Sequence, residues 1–149
     1  MIDAVFDCMV FLQAVTSDRG PSFACLNLVE SNQVRLFISP AILAEIRDVL
    51  TRPKLRVKFP RLTLEYVDLF LHKLASLAVL VSDVPDSGMQ LRDPGDKPYI
   101  DLAIAANVKF LVTRDTDLLG VMKETDFRES HPSLRIIDPI DFLHFREKL

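Results

Sequence analysis

The sequence predicts an α/β protein in which a mainly parallel sheet lies between two layers of helices. Short, continuous apolar runs, typical of parallel strands that are buried on both faces, alternate with segments of helical periodicity. The chain is 49% hydrophobic and 26% charged, which is the composition of a folded globular protein rather than of a disordered one. Because a length of 149 residues suits one core, we expect residues 1–149 to form a single three-layer α/β/α domain.

The N-terminal part of the chain alternates strands with helices. Apolar runs without a polar side predict the strands, and apolar residues that recur every three to four positions predict the helices. Ser39 supplies an N-cap and Pro40 a first-turn proline for the helix after the second strand. In chain order, the predicted elements are a strand at Ile2–Phe6, helices at Met9–Val15 and Pro21–Ser31, a strand at Val34–Ile38 and a helix at Ala41–Leu50.

The rest of the chain continues this alternation. The helix predicted at Thr63–Leu77 is longer and amphipathic, because Glu65, Asp68 and Lys73 lie on its polar side. Residues 82–94 and 124–133 show neither pattern and are predicted to be loops. The predicted elements are a helix at Thr63–Leu77, a short strand at Leu77–Val81, a buried helix at Pro98–Ala106, strands at Phe110–Thr113 and Leu134–Ile137, and a helix from Pro139.

Several classes of protein are disfavoured by the composition. The N-terminus carries acids and lacks the basic stretch of a signal peptide, and no apolar run approaches the roughly 20 residues of a membrane span. We therefore predict a cytoplasmic protein without a membrane partner. Cys8 and Cys25 do not form a CxxC pair, and the three histidines are scattered, so a zinc site or a disulfide framework is not expected.

Four acidic residues fall where such a sheet presents its carboxyl edge: Asp7, Glu45, Asp96 and Asp115. Asp7 and Asp115 end strands, Glu45 lies on the flank of a helix, and Asp96 precedes another helix. Open α/β sheets bind their ligands at this edge. Grouped carboxylates raise one another's pKa unless a cation joins them, and an all-oxygen site favours Mg²⁺ or Mn²⁺. Asp7 is equally suited to cap a helix, and a surface position is the alternative for Glu45.

Three more residues are candidates to contact these carboxylates rather than the metal. Asp101 lies on a helix with almost no polar face, so it needs a partner, for which Arg92 and Lys97 are candidates. Thr113 can donate a hydrogen bond to a carboxylate or to a metal-bound water. Asp117 is placed to cap the helix that follows Asp115 or to act as an outer acid of the site.

A basic segment stands out against the net charge of −3. Five basic residues and no acid occur between positions 52 and 61, and such a patch can contact phosphates while the acids hold a metal. A solvated or ion-paired surface is the alternative interpretation. The candidate residues for this contact with phosphates are Arg52, Lys54, Arg56 and Lys58.

Four segments, taken in order, resemble the PIN domain, and in particular the VapC-like ribonucleases that act as toxins of toxin–antitoxin systems. The similarity extends over nearly the whole chain and is carried by residues Phe6–Val10, Leu36–Glu45, Arg92–Asp96 and Phe110–Leu119. The resemblance implies an endoribonuclease that depends on Mg²⁺ or Mn²⁺. Its metal-binding and catalytic residues would be Asp7, Glu45, Asp96 and Asp115.

The same resemblance implies partners. RNA would be the substrate, a cognate antitoxin would place a helix over the acidic groove, and the protein would form a homodimer. Candidate apolar residues for a contact between two copies are Val67, Phe70, Leu71 and Leu74, and burial within the monomer is the commoner explanation for such residues.

The sequence also departs from the PIN pattern. Cys8 and Met9 replace the Thr and Asn that usually follow the first acid, and Lys97 stands where an acid is often found. Both Asp96 and Asp101 therefore remain candidates for the third acidic position. Losing such supporting groups typically costs about 10–100-fold in metal affinity or activity. A PIN module with weak or no catalysis, which binds RNA or a partner protein, is therefore the alternative function. An aspartyl-phosphate phosphatase is disfavoured, because it would need an acid in place of Met9.

Overall fold

A five-stranded parallel sheet forms the centre of the computed structural model, which describes residues 1–147. The strands lie in the order β3-β2-β1-β4-β5, and every neighbouring pair is parallel. This arrangement confirms the predicted fold class. The strands are β1 (Ile2–Phe6), β2 (Val34–Ile38), β3 (Val79–Leu80), β4 (Phe110–Val112) and β5 (Arg135–Ile137).

Helices connect the strands and cover the sheet. Within residues 1–147, no helix has the length and apolar character that crossing a membrane requires. The α-helices are α1 (Cys8–Thr16), α2 (Pro21–Glu30), α3 (Pro40–Leu50), α4 (Pro53–Lys58), α5 (Leu64–Leu77), α6 (Lys97–Ala105), α7 (Thr116–Gly120), α8 (Thr125–Ser130) and α9 (Pro139–Glu147), and short 3-10 helices span Pro94–Asp96 and Val121–Lys123.

Both faces of the sheet are buried. Successive residues of a strand point to opposite faces, and Ala4, Val5 and Phe6 of β1 are all at most 1% exposed. On one face, the rings of Phe6 and Phe110 pack edge-on against Phe142 of α9, with centroid distances of 6.2 and 5.2 Å. Helix α6 packs against β1, β2 and β4. Residues Ala4–Phe6 and Phe110–Val112 are therefore continuous apolar runs, because neither face of the sheet meets water there.

Local signals in the sequence begin the helices as predicted. The Ser39 hydroxyl accepts a hydrogen bond from the backbone N–H of Ile42 at 3.3 Å, and Pro40 is the first residue of α3. Thr63 caps α5 in the same way through the backbone N–H of Tyr66 at 3.1 Å. These caps satisfy backbone donors that the helix itself cannot pair.

Two predictions are corrected by the structure. Residues 124–133 are not wholly a loop, because they contain α8, a six-residue helix too short to show a repeat and anchored by the buried Phe127. The structure also shows a short helix, α4, in the basic segment, for which no element was predicted, and Pro53 begins it. Two of the residues predicted for a contact between copies, Val67 and Leu74, are at most 1% exposed, so the core of the same chain already covers them.

Candidate metal site at the carboxyl edge of the sheet

The ends of the neighbouring strands β1 and β4 place the first acidic residue. Phe6 pairs with Val112 in register, so the next residues, Asp7 and Thr113, lie side by side. The Thr113 hydroxyl, which is fully buried, donates a hydrogen bond to Asp7 Oδ2. The parallel register of two central strands therefore brings this carboxylate and this hydroxyl together.

Asp7 also caps a helix. Its Oδ1 accepts a hydrogen bond from the backbone N–H of Val10 in α1 at 3.2 Å. Burial raises the pKa of Asp7, and the hydrogen bonds from Thr113 and Val10 oppose that rise. Asp115 raises the pKa of Asp7 further through its negative charge. The two interpretations of Asp7 are therefore compatible, since one side chain caps α1 and lines the acidic cavity described below.

Three carboxylates form a tight cluster beside Asp7. Asp93, Asp96 and Asp115 each offer an oxygen, and these oxygens lie within 4.8 Å of one another. Backbone N–H groups hold two of these side chains: Asp93 Oδ1 accepts from Gly95 at 2.9 Å, and Asp115 Oδ1 accepts from Asp117 at 2.8 Å. The cluster thus contains Asp93, which the sequence analysis did not identify.

Asp96 is the least satisfied member of the cluster. The residue is only 9% exposed, and among residues 1–147 no protein group donates a hydrogen bond to its carboxylate or forms an ion pair with it, so its oxygens face the open cavity described below. Burial, followed by the negative charges of Asp115, Asp93 and Asp7, raises its pKa to about 7. A bound cation would remove this penalty, because it supplies the positive charge that the protein around Asp96 lacks.

Glu45 reaches the same place from α3 and is held by a residue that the sequence analysis missed. The hydroxyl of Tyr99, in α6, donates a hydrogen bond to Glu45 Oε1 at 2.9 Å. Tyr99 is only 2% exposed. Burial and the nearby Cys8 and Glu45 raise the pKa of Tyr99 far above its ordinary range, so its hydroxyl remains a donor at neutral pH.

A cavity of roughly 330 Å³ joins these groups. All four predicted acids line it, together with Asp93, Tyr99 and one basic residue, Arg52. Cys8, Met9, Leu12 and Val49 supply its less polar lining. The sheet edge therefore concentrates negative charge in one open pocket. Four acids of this pocket were predicted from the sequence, and the geometry adds Asp93 and Tyr99.

Two predicted supporting acids lie differently. Asp101 accepts hydrogen bonds from Lys97 Nζ at 3.1 Å and from the backbone N–H of Ser87 at 3.2 Å, and it lines a separate cavity. The geometry therefore places Asp96, and not Asp101, in the acidic cluster. Asp117 is exposed and pairs with Arg92 at 3.6 Å, but its charge contributes to the raised pKa of Asp96.

The basic segment divides into two kinds of residue. Arg52 lines the acidic cavity and pairs with Asp48 at 3.2 Å, whereas Lys54 and Lys58 are exposed on α4. Arg56 Nε donates to the backbone carbonyl of Leu62 at 3.3 Å, so it supports the fold locally. Only part of this segment is therefore free to contact phosphates.

The donor set of the cavity fits a hard divalent cation. Carboxylate oxygens are the ligands that Mg²⁺ and Mn²⁺ prefer. Cys8 adds no soft ligand, because burial and the charges of Glu45 and Asp7 raise the pKa of its thiol to about 12. The residues present therefore match an all-oxygen cation site better than a zinc–thiolate site.

Comparison with known proteins identifies the family. The chain is 26% identical over 149 residues to the uncharacterized protein MJ1680 of Methanocaldococcus jannaschii, a match that covers 99% of this chain and 93% of the relative. The fold of the present chain is similar to that of a chain in the crystal structure of VapBC2 from Rickettsia felis bound to a DNA fragment from their promoter. The TM-score is 0.55, the sequence identity is 16%, and the match covers 92% of this chain and 98% of that one. The sequence pattern of the PIN domain matches residues 3–117. The predicted resemblance is thereby confirmed, and the chain belongs to the PIN domain family.

Proposed function

We propose that this PIN domain is a metal-dependent endoribonuclease that hydrolyses phosphodiester bonds of RNA with Mg²⁺ or Mn²⁺. The observation that carries the proposal is the convergence of Asp7, Glu45, Asp93, Asp96 and Asp115 on one cavity, into which the carboxylate of Asp96 faces without a protein donor among residues 1–147. Membership of the PIN family supports it. The mutual repulsion of such a group of acids is unfavourable unless a cation joins them.

The residues have distinct roles in this proposal. Asp93, Asp96 and Asp115 would hold a cation directly, and Asp7 and Glu45 would complete the ligand set. A cation bound there supplies Lewis acidity, which lowers the pKa of a coordinated water and offsets the charge that develops on the phosphate. Because helix N-termini hold Asp7 and Asp115, these carboxylates are oriented before any ligand binds.

The basic residues would position the RNA. Arg52 lies in the cavity wall, where its guanidinium can hold the scissile phosphate against the acids. Lys54 and Lys58 project from α4 and would contact phosphates further along the strand. In-line attack by water would leave 3′-hydroxyl and 5′-phosphate ends. Arg56 has a smaller part in this proposal than the sequence suggested, because it is bonded to the backbone.

A second candidate function is a PIN module that binds RNA or a partner protein without efficient catalysis. Cys8 and Met9 favour it, because they stand where the family usually has a Thr and an Asn. Against it, the Thr113 hydroxyl and the Val10 amide already orient Asp7. Calorimetric titration with Mn²⁺ separates the two functions: binding below millimolar concentration supports the nuclease, and no binding at millimolar Mn²⁺ supports the inert module.

We also propose that the protein is a single-domain, cytoplasmic toxin with a cognate antitoxin that covers the acidic cavity, and that it forms a homodimer. The similarity of its fold to a chain of VapBC2 supports the antitoxin partner in this proposal. Induced expression of the wild type should arrest bacterial growth, whereas Asp96→Asn should not. Normal growth in both cases would argue against a toxin and would leave the ribonuclease assay as an independent test.

The ribonuclease proposal is tested by cleavage of single-stranded RNA in Mg²⁺ or Mn²⁺. Asp96→Asn and Asp115→Asn should reduce cleavage by more than about 100-fold, which exceeds the 10–100-fold typical of losing a supporting residue. Asp126→Asn is the matched control, because Asp126 is exposed on α8. Equal cleavage by the wild type and Asp96→Asn would reject the assigned site.

A further inference from the structure

We infer that Tyr99 is a positioning residue, whose hydroxyl holds the Glu45 carboxylate at the wall of the acidic cavity and so prepares it to bind a cation. The inference rests on the proposed function only through the presence of a cation in this cavity. This role of Tyr99 does not follow from its position in the sequence or from the presence of the acidic residues.

The first argument is the way in which the other carboxylates are held. Asp7, Asp93 and Asp115 precede helices, so backbone N–H groups at the helix N-termini orient them. Glu45 lies in the middle of α3, where the backbone N–H groups are engaged within the helix. The backbone of α3 therefore does not orient its carboxylate, and among residues 1–147 the group that donates a hydrogen bond to it is the Tyr99 hydroxyl.

The second argument is the rigidity of the donor. Tyr99 is 2% exposed, and its neighbours Ile100, Leu102 and Ala103 anchor α6 in the core. A buried tyrosine hydroxyl needs an acceptor, and Glu45 Oε1 supplies it at 2.9 Å. A glutamate has three side-chain torsions, whereas a packed tyrosine ring is fixed. The hydrogen bond to this fixed donor therefore restricts the conformations of the Glu45 carboxylate.

The third argument is that both partners line the same cavity. The hydrogen bond engages Oε1, and among residues 1–147 no protein donor engages Oε2. The basic residue of the cavity lining, Arg52, pairs with Asp48 instead of Glu45. One oxygen of Glu45 is therefore held by Tyr99, and the other is available to a cation.

The test is the affinity for Mn²⁺ alone, measured by calorimetry on the full chain. Tyr99→Phe removes the hydroxyl and keeps the ring, so the fold should persist while the dissociation constant for Mn²⁺ rises about 10–100-fold. Tyr66→Phe is the matched control, because Tyr66 is the other tyrosine, is 39% exposed on α5 and should leave the affinity unchanged.

A double-mutant cycle separates positioning from a merely structural role. If Tyr99 acts through Glu45, Tyr99→Phe should lower the Mn²⁺ affinity of the wild type but should not lower that of Glu45→Ala any further. Wild-type affinity in Tyr99→Phe, or an equal loss in both backgrounds, would overturn the inference. A wild type that does not bind Mn²⁺ would also overturn it. A wild type that binds Mn²⁺ but cleaves no RNA would refute the ribonuclease, while the cycle would still decide the role of Tyr99.

Discussion

At the scale of single residues, the acidic cavity is built from carboxylates that also stabilise helix ends. Asp7 caps α1, Asp93 caps the 3-10 turn at Pro94–Asp96, and Asp115 caps α7. Each of these side chains uses one oxygen for backbone N–H groups, which fixes the carboxylate at the cavity. Asp96 has no such support, so its raised pKa reports how strongly the site favours an added positive charge.

Replacing Asp7 should separate its two roles. Asn caps helices as well as Asp does, so Asp7→Asn should keep the hydrogen bond from Val10 and destabilise the fold less than Asp7→Ala, while it weakens Mn²⁺ binding and RNA cleavage. Asp7→Ala should additionally lose about 1 kcal/mol of stability, because the amide of Val10 loses its acceptor. Denaturant unfolding in EDTA measures the change in stability, and calorimetry measures the change in Mn²⁺ affinity. Unchanged Mn²⁺ affinity in Asp7→Asn would restrict Asp7 to capping.

Asp96 should impose a pH dependence on the stability of the metal-free protein. Its pKa rises from 3.8 to about 7, so between these values the folded chain binds more protons than the unfolded chain. The free energy of unfolding therefore decreases as pH rises from about 4 to about 7. In EDTA, Asp96→Asn should lose much of this decrease, whereas Asp126→Asn should retain it. Identical pH profiles for the wild type and Asp96→Asn would contradict the assignment of the raised pKa.

At the scale of elements, the sequence was sufficient to predict those helices and strands that depend only on local signals. The strand Ile2–Phe6, which ends in the apolar run Ala4–Phe6, and the Ser39 cap were predictable, because a buried strand and a helix start each have a local signature. Asp101 was correctly expected to need a partner, which is Lys97 one helical turn away. Its separation from the acidic cavity was not predictable, since that depends on how α6 lies against the sheet.

Asp93 and Tyr99 were missed for a related reason. Asp93 precedes Pro94 and Gly95, a pattern that signals a turn with an Asp cap but does not place that turn beside β4. Tyr99 is the single aromatic residue of α6, and a buried tyrosine needs an acceptor, but its partner is 54 positions away in sequence. Both roles arise from tertiary contacts that no local pattern encodes.

Helix α4 provides a test of the proposed RNA path. Lys54 and Lys58 are exposed, whereas Arg56 is bonded to a backbone carbonyl. The double variant Lys54→Ala, Lys58→Ala should therefore weaken RNA binding regardless of sequence and reduce the magnitude of the salt slope by about 1.4, the value for two contacts to a single strand. Fluorescence anisotropy over a salt series measures both quantities. Arg56→Ala should mainly lower the melting temperature, and an unchanged slope in the lysine variant would exclude α4 from the RNA path.

At the scale of the whole molecule, strand order explains why the acids meet. The chain runs from β1 outward through β2 to β3, then crosses back to β4 and β5 on the other side of β1. The direction of the connections thus changes between β1 and β4, which opens a crevice at the carboxyl ends of these strands. Asp7 follows β1 and Asp115 follows β4, so the topology itself places both acids at this crevice. Strand order could not be derived from the sequence pattern alone, because the apolar runs do not specify their neighbours.

A crystal structure with Mn²⁺, located by its anomalous scattering, tests the central claim most directly. We predict a Mn²⁺ peak in the acidic cavity, coordinated by oxygens of Asp93, Asp96 and Asp115 at about 2.0–2.3 Å, distances typical of hard divalent cations. Glu45 or Asp7 should complete the ligand set. A well-ordered structure at saturating Mn²⁺ that has no peak in this cavity, or that has its peak only elsewhere on the surface, would contradict the account.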